Sequence, residues 1–374
     1  MTAPVDDRER LERLFQNQAA VGLHHGAQLA VYHEGEQVVD LTAGTAGPDG
    51  EPVQSDQGFV FFSSTKPLAG ACVHRLVEAG DLDYDEPVAT YWPEFTRGDP
   101  AKEQVTVRHV LSHQGGFPAG EFDLRPDDWT DWDAAVEAME EIELQFEPGS
   151  TAAYHAMNYG WVVGELVRRV TGETAGSYLR EHVLDPLGMD DTHLGLPASE
   201  PDDVATLVGF EAFDRCRERA GGLGADNADA AANFNREAFH RAEMPAASGV
   251  GTASDLARFY ACLGNGGELD GVRLLSEATV AEATSLQIAV DHDRTLGTPV
   301  RYGLGFFLAG TPFDSYGTLA PPSTFGHGGL GSSVAWADPE RDLAFAVVTN
   351  GVRDSYEHRV RVNELGTAVR RVFG

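Results

Sequence analysis

Strand-forming runs lie toward the two ends of this chain while the long middle reads as helix, and this arrangement narrows the fold more than any other feature. Gly26–Tyr32 and Glu36–Leu41 read as strands joined by His33-Glu34-Gly35, a hairpin-like connection. Strand signals return at Tyr302–Leu308, Ser333–Ala337 and Leu343–Thr349. Helical periodicity fills the interval over Leu68–Ala79, Val107–His113, Trp132–Glu143, Tyr159–Val170 and Ala175–Val183. Two further helices flank the strands: residues 7–20, with Leu11, Leu14 and Phe15 on one face, and Tyr356–Val372. The economical architecture is α+β. One antiparallel sheet forms from the N- and C-terminal segments, helices flank it, and a helical region is inserted between them. That reading gives one unit, with a sheet subdomain at about residues 1–65 plus 252–374 and a helical subdomain at about 66–251. Two long loops are expected, at 115–131 and at the Gly-, Ala-, Asn- and Asp-rich stretch 219–236.

Charge excludes several kinds of partner. Asp and Glu total 59 against 27 Lys and Arg, for a net charge of −32. Such a chain repels a phosphate backbone and an anionic membrane surface, so neither nucleic acid nor membrane is an expected partner. No run of about 18 apolar residues is present for a membrane span. The first ten residues lack the basic-then-apolar pattern of a secretory signal. Three scattered cysteines, Cys72, Cys216 and Cys262, make neither a disulfide framework nor a metal-ligand spacing. Reduced thiols in a cytoplasmic protein are expected, with Cys72 in the core. The acid is dispersed, and Lys66 and Lys102 are the two lysines of the whole chain. That composition resembles proteins of salt-accumulating organisms, so a halophilic chain is expected, its self-repulsion screened by salt.

Three segments could carry chemistry. In Phe62-Ser63-Ser64-Thr65-Lys66-Pro67, Ser63 and Lys66 share a face of the helix that the segment opens. A lysine whose pKa is lowered by burial can take the proton of a serine hydroxyl, and a helix N-terminus favours the anion that develops. Alone, the same pattern reads equally as an N-cap serine beside a solvated lysine. Tyr154 follows the Pro148-Gly149 turn, and a phenol near a lysine can exchange protons with a leaving group; alone, it reads as a core tyrosine. His155 beside it reads as structural. Phe325-Gly326-His327-Gly328-Gly329-Leu330-Gly331 offers glycines that allow close main-chain approach to an anion, or simply a turn entering a strand.

Taken together, these segments resemble the serine beta-lactamase-related hydrolases of the class C type, which include serine esterases and penicillin-binding D,D-peptidases. The resemblance covers about residues 20 to 372. It is supported by Val105–His113 with Gln114-Gly115-Gly116, Pro186-Leu187-Gly188-Met189 with Asp191-Thr192, Ala246–Gly249 through Asp255–Arg258, and Asp338-Pro339-Glu340. It implies that Ser63 is acylated, that Lys66 helps deprotonate it, and that Tyr154 handles the proton of Ser63 or of the leaving group. The oxyanion hole would fall on the backbone N–H groups of Ser63 and Leu330. His327-Gly328-Gly329 matches the Lys-Thr-Gly element of true lactamases, with histidine in place of lysine. The asparagine of the Tyr-x-Asn element is Ala156 here, and Asn158, two residues on, is no simple substitute.

Both departures weaken recognition of the carboxylate and side-chain carbonyl of a beta-lactam while leaving acyl transfer intact. The resemblance therefore implies a serine hydrolase of the esterase branch acting on small or medium acyl esters, with no cofactor and no metal. A beta-lactamase, a D,D-peptidase or a D-aminopeptidase is the alternative. A non-catalytic binding protein of the same fold would require loss of Ser63, Lys66 or Tyr154, and all three are present. His109 and His113 have the spacing of two zinc ligands on one helix face, but no Glu follows His109 and no third ligand is evident. The absence of a Gly-x-Ser-x-Gly elbow argues against an α/β-hydrolase.

Overall fold

Eight antiparallel strands carry both ends of the chain in one sheet. The computed structural model describes residues 7–210 and 227–374. In chain order the strands are β1 (Gly26–His33), β2 (Glu36–Gly44), β3 (Ile288–Val290), β4 (Val300–Tyr302), β5 (Phe307–Leu308), β6 (Phe325–Gly329), β7 (Ser333–Asp338) and β8 (Leu343–Thr349). Their spatial order is β2-β1-β8-β7-β6-β5-β4-β3. Glu34 and Gly35 turn β1 into β2 with φ of 52° and 81°, the left-handed pair that a tight hairpin requires.

Alternating side chains fill two cores, one on each face of the sheet. Ala27, Leu29, Val31, Phe345 and Val347 meet Leu11 and Phe15 of helix α1 (Asp7–Ala20) and Val362, Leu365 and Val369 of the last helix, Ser355–Phe373. Ala30, Tyr32, Ala344, Ala346 and Val348 face the larger core, which includes Leu256, Phe259 and Tyr260 of helix Ala253–Gly264. Helix α2 (Lys66–Ala79) and helix α3 (Asn158–Thr171) pack on one another in the part of the chain between β2 and β3. The helix Ala253–Gly264 is α4, and Ser355–Phe373 is α5. Among the described residues no helix is long and apolar enough to cross a membrane. Cys72 and Cys262 are buried free thiols, and burial pushes Cys72 up to about 12. Cys216 lies outside the described residues.

Several local expectations need correction. The run Tyr302–Leu308 is two strands, not one. Tyr302 pairs with Phe307 across a turn that contains Gly305 at φ 84°, a conformation a strand cannot continue through. Helix Val107–Leu111 stops short of His113, which takes φ 60°. The helix from Trp132 ends at Glu141, where Ile142 turns extended. Helix Ala175–Leu179 runs on through a wider turn at Arg180–Leu184 to Leu187, where Gly188 ends it at φ 64°. Within 219–236, residues 219–226 lie outside the described residues, and Asn227–Phe234 is helical rather than loop. Alanine favours that helix, and the burial of Ala230, Ala231 and Phe234 secures it. The Phe325–Gly329 segment is itself a strand despite three glycines, two of which, Gly326 and Gly329, sit where a β-carbon would overlap neighbouring atoms.

Candidate active site

The short strand Phe59–Val60 pairs with Gly249–Gly251 and delivers the chain into a tight turn at Phe62–Thr65, from which α2 starts. Phe62, directly before Ser63, sits at φ 48°. A bulky side chain in that region costs about 1–2 kcal/mol, so the surroundings must hold it there. Several hydrogen bonds do so. Ser333 Oγ donates to the Phe61 carbonyl at 2.7 Å and lies 2.9 Å from Ser64 Oγ. The Phe61 N–H donates to the Gly249 carbonyl at 2.8 Å, and the Gly249 N–H to Thr65 Oγ1 at 3.0 Å. Gly329 completes the fit: a β-carbon there would overlap the Phe61 carbonyl and Ser333 Oγ. The glycine therefore lets the end of β6 close on the serine turn.

Ser63 is half-buried, whereas Lys66 is fully buried at the first position of α2. Lys66 Nζ donates to Ser63 Oγ at 3.1 Å and to the Ala246 carbonyl at 3.1 Å. It lies 4.8 Å from the centre of the Tyr154 ring and 5.9 Å from that of Tyr159, and none of its hydrogen bonds or ion pairs is to a carboxylate. Desolvation without a compensating anion holds its pKa well below the ordinary lysine value. The site thus contains an amine able to act as a base.

Tyr154 packs its ring against His113, Phe307 and His327, with centres at 4.7, 5.6 and 6.1 Å. Its hydroxyl is buried and makes no hydrogen bond of good geometry within the protein. Burial raises its pKa. The nearby Ser63 hydroxyl opposes that shift, and the charge of Asp293 adds to it. The phenol therefore keeps its proton and can give it up only to a stronger base. Asp293, which sequence reasoning missed, accepts the Tyr154 N–H at 3.1 Å.

His327 stacks on Phe307 at 4.4 Å and 23°, and its Nδ1–H donates to the Gly328 carbonyl at 2.8 Å. Burial first, and then the neighbouring Lys66, lower its pKa to about 3, so the ring is neutral. Gly328 lies beside it in β6, and Leu330 forms the turn that follows. That turn is anchored by two bonds to the Gly331 carbonyl, from the Arg353 N–H at 3.0 Å and from the Arg361 guanidinium at 2.8 Å. Leu330, Gly328 and Gly329 thus lie on the segment that closes on Ser63. Phe234, from the helix Asn227–Phe234, meets Phe62 at 4.7 Å, and Arg236 bonds Asp127 at 2.7 Å, which joins the two segments read as loops.

The remaining candidates are structural. His155 donates from Nδ1 to the Ala153 carbonyl at 2.7 Å and accepts the Phe117 N–H on Nε2 at 3.1 Å. His113 Nδ1 accepts the His155 N–H at 3.0 Å, while His109 Nδ1 takes the Thr106 N–H in a helix cap. With the helix ended at Leu111, the two histidines do not share a helix face, and no zinc pair forms. Asn158 donates to the Phe117 carbonyl at 2.9 Å, so its amide is committed inside the fold and does not fill the role left by Ala156. Ala246, Ser333 and Arg361 also serve the site. Ala246 and Ser333 act through a backbone carbonyl and a small hydroxyl, and neither has a distinctive sequence signal.

Comparison with known proteins identifies the family and the fold. Residues 11–367 match the family model described as Beta-lactamase. Among curated relatives, Esterase/beta-lactamase LipL of Mycobacterium tuberculosis is 38% identical over 344 residues, 87% of this chain and 77% of that protein. A solved penicillin-binding protein homologue from Caulobacter crescentus superposes with a TM-score of 0.83 at 36% identity, covering 99% of both chains. A family VIII carboxylesterase structure gives a TM-score of 0.84 at 31% identity, covering 99% of this chain and 98% of the other.

Proposed function

Because the chain belongs to the beta-lactamase family of serine hydrolases, we propose that it is a carboxylesterase in which Ser63, Lys66 and Tyr154 divide the proton traffic. In this reading Lys66, its pKa held well below the ordinary lysine value by burial, takes the Ser63 proton as Oγ attacks the ester carbonyl. The carbonyl oxygen becomes an anion, which the N–H groups of Ser63 and Leu330 receive. The C–O bond to the alcohol then breaks. The alkoxide takes the Tyr154 proton, and the phenol regains one from the Lys66 ammonium. Water, deprotonated by the same pair, attacks the acyl-serine and releases the acid, returning the proton to Ser63. No cofactor enters these steps.

The observation that carries the proposal is the 3.1 Å bond from a fully buried lysine to the serine, with no carboxylate to hold the lysine charged. Neutral His327 supports the ester branch. It supplies no fixed cation for the carboxylate of a beta-lactam or a peptide, and Ala156 supplies no amide for a side-chain carbonyl. A small neutral ester asks for neither. The test is steady-state turnover of nitrophenyl and alkyl esters against a cephalosporin, with intact mass recorded after a fluorophosphonate. Ester turnover and a single covalent adduct support the proposal. Cephalosporin turnover that equals or exceeds ester turnover restores the lactamase alternative.

A further inference from the structure

Asp293 is fully buried, yet it lies on the connection between β3 and β4, outside every segment that marked the site in the sequence. Its Oδ1 accepts three backbone N–H groups: Tyr154 at 3.1 Å, Thr295 at 2.8 Å and Leu296 at 2.8 Å. Its Oδ2 accepts the Tyr302 hydroxyl at 2.7 Å. No arginine or lysine pairs with it among the described residues; hydrogen bonds alone satisfy the carboxylate. A carboxylate buried this way is costly unless its acceptors are filled, and here they join two distant parts of the chain. Tyr302 and Val300, on the strand after this loop, share a small apolar cluster with Tyr154, and Leu296 and Phe307 pack onto it.

We propose that Asp293 is a positioning residue for proton donation, fixing the Tyr154 backbone so that the phenol stands over the departing alcohol. This rests on the reading of Tyr154 as the leaving-group donor. The Tyr154 hydroxyl makes no hydrogen bond of good geometry within the protein, so its aim depends on its backbone and on the rings around it. The polar and titratable groups around the phenol are Ser63, Lys66 and Tyr159 on the α2 and α3 side, His113 beneath the ring, His327 on β6, and Asp293 with Tyr302 behind it. Of these, Asp293 is the group bonded to the Tyr154 main chain. Misplacing a donor by about 1 Å can cost on the order of 100-fold in rate.

The dependence on leaving group tests this directly. A nitrophenolate leaves without a proton, whereas an ethoxide needs one. The measurement is kcat/KM for 4-nitrophenyl, phenyl and ethyl butyrate with the wild-type chain, Asp293→Ala, Asp293→Asn and Tyr154→Phe. Asp293→Ala should lose about 100-fold on the ethyl ester and less than about threefold on the nitrophenyl ester, the pattern of a misplaced acid. Asp293→Asn keeps an oxygen for the three N–H groups and should stay within about threefold of wild type on all three esters, since the bond to the Tyr154 N–H survives while the Tyr302 hydroxyl turns to accept from the new amide. Adding Asp293→Ala to Tyr154→Phe should cost little more than Tyr154→Phe alone. If the alanine variant does not fold, Asp293→Glu replaces it. Its carboxylate is one methylene longer and should displace Tyr154 and steepen the same dependence. Equal losses on all three esters, or no loss, in a variant that melts cooperatively would overturn the inference. Ester turnover by the wild-type chain would still stand, whereas its absence would fail the hydrolase reading instead.

Discussion

Lys66 Nζ stands 3.1 Å from Ser63 Oγ with its side chain wholly out of solvent and no anion bonded to it. A lysine in that state is a base purchased at the expense of stability. The linkage sign follows from the lowered folded pKa. Between that folded value and the ordinary lysine pKa, the unfolded chain binds the proton more readily. Stability therefore rises with pH across that window and falls as pH drops through it.

Lys66→Met should remove this penalty. At neutral pH the variant should unfold at higher temperature, the relief of the buried amine offset in part by the Ala246 carbonyl left without its donor, while ester turnover falls by at least about 100-fold. Calorimetric melts at several pH values, with turnover measured on the same samples, check both halves. A variant that is both less stable and still active would show that Lys66 is neither desolvated nor the base.

The neutral imidazole of His327 fixes an expectation about substrates. Short-chain esters should exceed a cephalosporin by at least about 100-fold in kcat/KM, or roughly 3 kcal/mol of transition-state binding. Because burial holds this ring neutral down to about pH 3, the ratio should not change between pH 6 and 8 through His327. A preference for esters that collapses on mild acidification would contradict the neutral ring.

How far the sequence disclosed this site depends on where each signal is local. Ser63, Lys66 and the glycines of β6 form short motifs, and a helix start or a glycine run can be read along the chain. The strands β1, β7 and β8 were equally legible as short strand-like runs, because each is buried on both faces of the sheet and so is almost continuously apolar. Asp293 was not legible. Its meaning comes from bonding to Tyr154, 139 residues away, and nothing in the intervening chain encodes that contact. Likewise, Val107–His113 has helical periodicity, but the left-handed turn at His113 is set by tertiary bonds of its backbone and ring to residues 153 and 155.

A second buried charge offers a stability test away from the chemistry. Arg370 Nε bonds Asp338 Oδ2 at 2.6 Å with both side chains inaccessible, and its guanidinium lies 3.8 Å over Trp336 on the α5 face of the sheet. Arg370→Ala leaves that carboxylate with only the more distant Arg341, at 3.2 Å. A loss of about 3–5 kcal/mol in chemical denaturation is expected. Turnover per folded molecule should be unchanged. A loss below about 1 kcal/mol would mean that the pair contributes no more than a surface bridge.

Salt should govern stability as well. Lys66 and Lys102 are both fully buried, so no lysine offsets the surface acid that gives the chain its −32 charge. Raising ionic strength from about 0.1 M to 1 M shortens the screening length from about 10 Å to 3 Å and removes most of the long-range repulsion. Melting temperature and ester turnover should both rise with KCl over that range. A flat response would refute the halophilic reading and leave the catalytic assignment untouched.

The most direct test of the central claim is the site of acylation. The chain is treated with a slow nitrophenyl ester or a fluorophosphonate, digested, and the modified peptide is sequenced by mass spectrometry. The adduct should lie on Ser63, and Ser63→Ala should take up no label and lose ester turnover by several orders of magnitude while its melting curve stays cooperative. An adduct on Ser64 or any other residue, or a Ser63→Ala chain that still turns over ester at the wild-type rate, would contradict the account.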